Sequence, residues 1–274
     1  MSEKQFKATP LYIVPILATL LVSVSFAFLI VRAELELPLM TLLPETGFGP
    51  LLNALFFVFA AGFAATMIYF LLKRGVHLFL RLLMGTAFSV LSFSLVVFYS
   101  ELLVVIVGFE VSPALILFLA FLVTAVVVFE IFMRRGRFYG VIVLVFGGAA
   151  GTLLGSSIPV VSAVLILLLL AVYDVVAVFR GPVGKIAAGG FEYLPGTSLS
   201  FKDIHVGLGD LVFYSMLVSR MLLSFGWATC VAAILGVLVG SFLSFKMVEK
   251  RGMFPGLPFS VVFGLLASLV AVLL

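Results

Sequence analysis

Two carboxylates stand where this chain otherwise admits almost no charge. Asp174 lies in "LLLLAVYDVVAVFR", with five apolar residues between it and Arg180, and Asp210 closes "GLGD" at the head of "LVFYSMLV". The other ten of the 12 acidic residues lie in loops or near the ends of apolar runs, where a side chain reaches the interface. A carboxylate at membrane depth costs about 2.5 to 3.5 kcal/mol on insertion scales, so each of the two is a functional hypothesis by default. Two such groups facing each other in a low-dielectric site cannot both ionise cheaply, and the pair tends to hold one shared proton. In that state one carboxylate draws a proton from water while the other, protonated, donates to a peptide carbonyl, with no metal required. The rival chemistry is a proton or cation pathway through a transporter or channel, and spacing alone weighs the two evenly.

Whether the two acids can meet depends on the elements that carry them. The chain has 274 residues, of which 64% are hydrophobic and 10% charged, and its mean hydropathy is +1.39, far from the composition of a soluble domain. Charge clusters, prolines and glycines cut it into apolar runs near 10–32, 51–72, 82–106, 113–133, 139–157, 159–179, 206–225, 227–247 and 256–274. About 20 residues of helix cross a hydrocarbon core of roughly 30 Å, so the expectation is an all-α polytopic membrane protein with nine transmembrane helices. The first run follows Lys4 and Lys7 and exceeds the h-region of a signal peptide, so it reads as a retained helix. With a cytoplasmic N-terminus, 14 of the 16 Lys and Arg fall in inside segments, leaving Arg32 and Arg220 outside. That asymmetry favours an N-in, C-out orientation. The chain is expected to form one membrane-embedded domain over 1–274, with six helices across 10–179, a cytoplasmic loop at 180–205 and three helices across 206–274.

The loop "RGPVGKIAAGGFEYLPGTSLSFKDIH" joins the sixth and seventh spans. Asp174 lies about 9 Å along the helix from Arg180, and Asp210 at most about 12 Å from Lys202, if that stretch is helical. The two spans run antiparallel, so both carboxylates fall at similar depth below one surface, and 36 residues of separation allow the helices to sit side by side.

Other classes of chemistry find little support. The cations are scattered between apolar runs rather than gathered into a stripe, which sets nucleic acid aside. One cysteine, Cys230, precludes an internal disulfide, and two distant histidines, His77 and His205, make a zinc site and any metal cofactor unexpected. Gly155-Ser156-Ser157 has no histidine nearby to make a serine nucleophile. Glu130, four residues before Arg134, reads as a helix-end ion pair, and His205 as a solvated interfacial side chain, with tuning of the dyad as the lesser alternative. Gly147, Gly151 and Gly155, and Gly236 and Gly240, recur every fourth residue as packing glycines do.

The motifs tip the balance between the two chemistries. With Tyr173-Asp174 on the sixth span, Gly207-Leu208-Gly209-Asp210 on the seventh and Pro255-Gly256-Leu257-Pro258 opening the ninth, the chain resembles the presenilin and signal peptide peptidase family of intramembrane aspartyl proteases. The resemblance implies that Asp174 and Asp210 are a catalytic dyad cleaving single-pass helical substrates within the bilayer. It also implies substrate contacts at Tyr173, Gly207, Leu208, Gly209, Pro255, Gly256 and Leu257. The expected orientation is that of the presenilin branch, and a plasma-membrane location follows as an expectation. Two departures stand out: Gly256 occupies the place of the family's usual alanine, and the short loop between the dyad spans argues against self-cleavage. A homo-oligomer or accessory subunits, as in the gamma-secretase complex, stay open.

Physical roles for these elements can be argued separately. Gly207 and Gly209 let backbone approach Asp210, and Pro255 and Pro258 are expected to interrupt the helix and leave backbone groups unpaired. An unwound substrate could pair with those groups or with the edge of "GGFEYLPGTSLSF", and residues 190–201 are expected to order only when substrate binds.

Overall fold

The computed structural model describes residues 7–34, 37–108, 110–134, 136, 138–181, 194–202 and 204–274. The described residues contain nine α-helices: α1 (Val14–Ala33, after a 3-10 turn at Pro10–Ile13), α2 (Gly49–Lys73), α3 (His77–Val107), α4 (Pro113–Phe129), α5 (Tyr139–Ser157), α6 (Val160–Phe179), α7 (Leu208–Phe225), α8 (Trp227–Arg251) and α9 (Leu257–Leu273). The first eight are long and apolar enough to cross a membrane, α4 together with the π-helical turn that extends it to Met133, and α9, at 17 residues, lies at the lower limit for a span. The chain is an integral, multi-pass membrane protein. Phe56, Phe59, Phe63 and Phe70 on α2 and Leu117, Phe118, Phe121 and Leu122 on α4 are exposed, as side chains that face lipid should be.

Two elements depart from the helical reading. The third helix begins at His77 rather than 82 and takes Arg81 into its first turns. A hairpin of β1 (Ser198–Phe201) and β2 (Ile204–Gly207) precedes α7, so residues 206–207 belong to a strand and not to the seventh helix. The strands pair antiparallel, Phe201 opposite Ile204 and Leu199 opposite Val206, with Lys202 in the left-handed region at φ 54°. Leu199, Ile204 and Val206 are buried while Ser200 and His205 face out. This alternation fits a strand with one face on the protein. Residues 198–201 therefore pair with the chain's own β2, contrary to the expectation that all of 190–201 orders only with substrate; 190–193 lie outside the described residues.

Helices α5 and α7 form the centre, because glycines allow their backbones to touch. A methyl group at Gly147 would lie 3.1 Å from Leu211 Cβ, one at Gly151 would overlap the Val212 carbonyl and Ser215 Cβ, and one at Gly155 would overlap Ser219 Oγ and the Met216 carbonyl. Gly236 and Gly240 serve α8 against the α9 backbone at residues 259–264 in the same way. With little water to solvate them, most of the polar groups here pair within the protein. Ser23 on α1 and Thr152 on α5 lie 2.8 Å apart, Ser23 also donates to the Ser215 carbonyl, and Tyr99 on α3 donates to the Ala149 carbonyl at 2.8 Å. At the end of the bundle away from the hairpin, Arg220 of α7 donates to the carbonyls of Gly155 and Ile158 and so satisfies the C-terminus of α5.

Buried Glu130, the first residue of a π-helical turn at Glu130–Arg134, accepts the N–H of Gly136 beyond that turn at 3.3 Å; the side chain of its expected partner Arg134 lies outside the described residues. Replacing Gly151 with alanine should cost about 1–3 kcal/mol by forcing α5 off α7. Gly85→Ala, with nothing within 4 Å, should leave stability unchanged or slightly raised. Denaturant unfolding in detergent micelles measures both.

Candidate active site

Asp174 sits on α6 and Asp210 in the first turn of α7. Both line one cavity of about 510 Å³, closed by Ile16 of α1, β2, Tyr214 of α7, Ser241, Ser244 and Phe245 of α8, and the 252–256 link between α8 and α9. The cavity thus draws on both ends of the sequence, and its two acids project from adjacent helices.

The α8–α9 link is where the two carboxylates are held. Helix α8 ends at Arg251 and is capped by Gly252, whose φ of 76° lies in the left-handed region, and α9 starts at Leu257. The first N–H groups of any helix lack an intrahelical acceptor. In α9 the Leu257 N–H donates to Asp174 Oδ2 at 3.0 Å, so a carboxylate from α6 caps a helix beside it. The Asp210 carboxylate occupies the other side of this link. A methyl group on Gly256 would lie 2.5 Å from Asp210 Oδ2 and 3.0 Å from its Cγ, so the missing side chain is filled by the acid. Asp210 lies in the first turn of its own helix, where negative charge is favoured by the helix dipole.

Of the other residues singled out in the sequence, Gly207, Gly209 and Gly256 line the cavity. Tyr173 does not: its ring lies on α2, with Cε2 3.2 Å from where a methyl on Gly62 would be. Leu208 packs into the bundle core and bonds through its N–H to the Thr197 carbonyl at 2.8 Å. Pro255 belongs to the link and Leu257 is buried at the start of α9, and neither side chain lines the cavity. Pro258 lies in the first turn of α9, where a proline needs no donor, so it opens that helix rather than interrupting it. His205 is exposed at the cavity rim with Nδ1 2.8 Å from Ser200 Oγ.

Tyr214 and the serines were not singled out by motif. Tyr214 Oη donates to the Gly256 carbonyl at 2.9 Å, with Ser260 and Ser244 Oγ at 3.2 and 3.5 Å. The amide and carbonyl expected to stay free in the 256–257 peptide are therefore both engaged. The available signal was spacing: Tyr214 follows Asp210 by four residues and so shares its helix face.

The presenilin family model matches residues 195–274, from the hairpin to the end of α9. The family likeness is to the presenilins. A presenilin homolog of Drosophila melanogaster is 36% identical over 66 residues, covering 24% of this chain and 12% of that protein, so the chain matches about an eighth of the relative's length. A solved structure of a presenilin family intramembrane aspartate protease in space group C222 aligns with a TM-score of 0.66, at 19% identity, over 96% of each chain. One in space group P2 gives 0.64 at 20% identity, over 99% of this chain and 98% of that one. The presenilin fold thus extends over nearly the whole chain, whereas the recognisable sequence likeness is concentrated at its C-terminal end, around Asp210 and the α8–α9 link.

The geometry makes the two acids unequal in stability. Removing the acceptor in Asp174→Ala leaves a buried Leu257 N–H unsatisfied and should cost about 1–3 kcal/mol. Asp210 accepts no hydrogen bond among the described residues, so Asp210→Ala should cost less, or stabilise by removing a carboxylate from membrane depth. Thermal unfolding of the two variants side by side checks the order.

Proposed function

We propose that the chain is an intramembrane aspartyl protease that hydrolyses peptide bonds of single-pass transmembrane proteins. The observation that carries this reading is that Asp174 and Asp210, on separate helices, line one cavity with glycine-lined walls and a sheet edge beside it. A water between the carboxylates attacks the substrate carbonyl carbon as its proton passes to the ionised acid, while the protonated acid donates to the carbonyl oxygen. The tetrahedral intermediate then collapses: the C–N bond breaks, the nitrogen takes a proton from the carboxyl that had received it, and the hydroxyl returns its own to the other carboxylate. A carboxyl and an amine leave, and the pair again holds one proton.

A helical substrate hides its peptide bonds, so a short stretch must unwind before it enters. The hairpin supplies a partner for the extended stretch through β-strand addition, since both backbone groups of the 256–257 peptide are already engaged. Exposed Gly209 and half-buried Gly207 leave room on the cavity wall. From the distribution of Lys and Arg, the hairpin end faces the cytoplasm and the C-terminal end of α9 the opposite side. The bilayer, which we assign to the plasma membrane, presents the substrates.

The test is cleavage of a labelled single-span substrate by purified protein in proteoliposomes. Asp174→Asn and Asp210→Asn should each lower the rate by about 10²–10⁴. Equal cleavage by wild type and either variant would contradict the reading; ion flux lost in the same variants, with no proteolysis by wild type, would replace it with a cation or proton pathway. Gly209→Ala serves as a second probe. A methyl there would have nothing nearer than Phe213 Cε2 at 4.0 Å. The variant should fold normally yet cleave about tenfold more slowly if substrate backbone uses that space.

A further inference from the structure

The 256–257 peptide is gripped from both ends, and only one end belongs to the dyad. Its N–H holds Asp174. Its carbonyl accepts from Tyr214 Oη, on the helix that carries Asp210, at 2.9 Å, from Ser260 Oγ, on α9 itself, at 3.2 Å, and from Ser244 Oγ of α8 only at the 3.5 Å limit. Ser260 Oγ in turn lies 2.9 Å from Ser241 Oγ of α8. Tyr214 is 2% exposed, Ser260 0% and Ser241 2%, so these bonds are shielded from bulk water. A peptide unit is planar, so fixing the direction of its carbonyl also fixes the direction of its N–H.

A bond from α7 to the Gly256 carbonyl therefore sets where the Leu257 N–H points, and with it where the Asp174 carboxylate rests relative to Asp210. The Ser260 bond runs within α9 and leaves the link free to rotate with that helix. The Tyr214 bond ties the link to α7. We infer that Tyr214 is a positioning residue: its hydroxyl orients the Gly256–Leu257 peptide so that the peptide's N–H holds Asp174 in register with Asp210. This inference rests on the protease reading for its consequence, but its geometry is testable without proteolysis.

Tyr214→Phe removes the hydroxyl and keeps the ring. Exchange of the Leu257 N–H should quicken by about tenfold, and kcat should fall by a similar factor with KM within about twofold, the size expected from one lost hydrogen bond. Tyr99→Phe is the matched control: it removes a similar buried hydroxyl bond, to Ala149 at 2.8 Å, but should leave Leu257 exchange and kcat unchanged. If Tyr214→Phe does not fold, Ser244→Ala removes the other donor to the same carbonyl from outside α9 and should shift both readouts the same way, less strongly. Unchanged Leu257 exchange in a folded variant overturns the inference, as does an equal response to Tyr99→Phe. Faster exchange in Tyr214→Phe, with no proteolysis by wild type, means that the protease reading has failed while the positioning role stands.

Discussion

The Leu257 N–H to Asp174 bond is the contact on which the site's geometry depends. A carboxylate inside a bilayer needs a donor, and the start of a membrane helix needs an acceptor. Here α6 supplies the acid and α9 the donor, so two otherwise costly groups offset each other. The link preceding α9 leaves no side chain at residue 256, and the Asp210 carboxylate takes that space. One short segment thus meets both acids without contributing an ionisable group of its own.

Close packing holds the helices at the separations this requires. Glycines on α5 bring α7 into near backbone contact, and glycines on α8 do the same for α9. Apolar side chains give no hydrophobic preference for each other over lipid, so small residues and buried hydroxyl bonds must hold the bundle together. The outer helices α2 and α4 show lipid-facing aromatic and aliphatic side chains, while the centre is formed by α1, α5 and α7 with Ser23, Thr152 and Ser215 at their junction.

Much of this was legible in the sequence because membrane physics leaves few choices. Runs of about 20 apolar residues must be helices, and Asp174 and Asp210 stand out against them. The hairpin was harder to see. "SLSF" and "IHVG" alternate apolar and polar residues as strands do, but they lie beside a membrane span whose apolar run masks the two-residue period. The roles of the 255–258 stretch depended on where α9 starts: Pro258 read as a break until the first turn of the helix was placed around it. Tyr173 was legible as a neighbour of Asp174 but not as a ring on Gly62, since that contact joins residues 111 positions apart. For Tyr214 the four-residue spacing from Asp210 marks the helix face, but the bond itself needed long-range information, because its acceptor is a backbone carbonyl that no side-chain pattern marks.

The central claim is that Asp174 and Asp210 act on one water as a unit. Its most direct test is the structure of the protein with a peptide in which a hydroxyl-bearing tetrahedral carbon replaces the scissile amide. The expected result is a hydroxyl oxygen within about 2.5–3.0 Å of a carboxylate oxygen of both Asp174 and Asp210, the range of hydroxyl hydrogen bonds. A mimic bound outside the cavity, or touching one carboxylate while the other remains beyond reach, would contradict it.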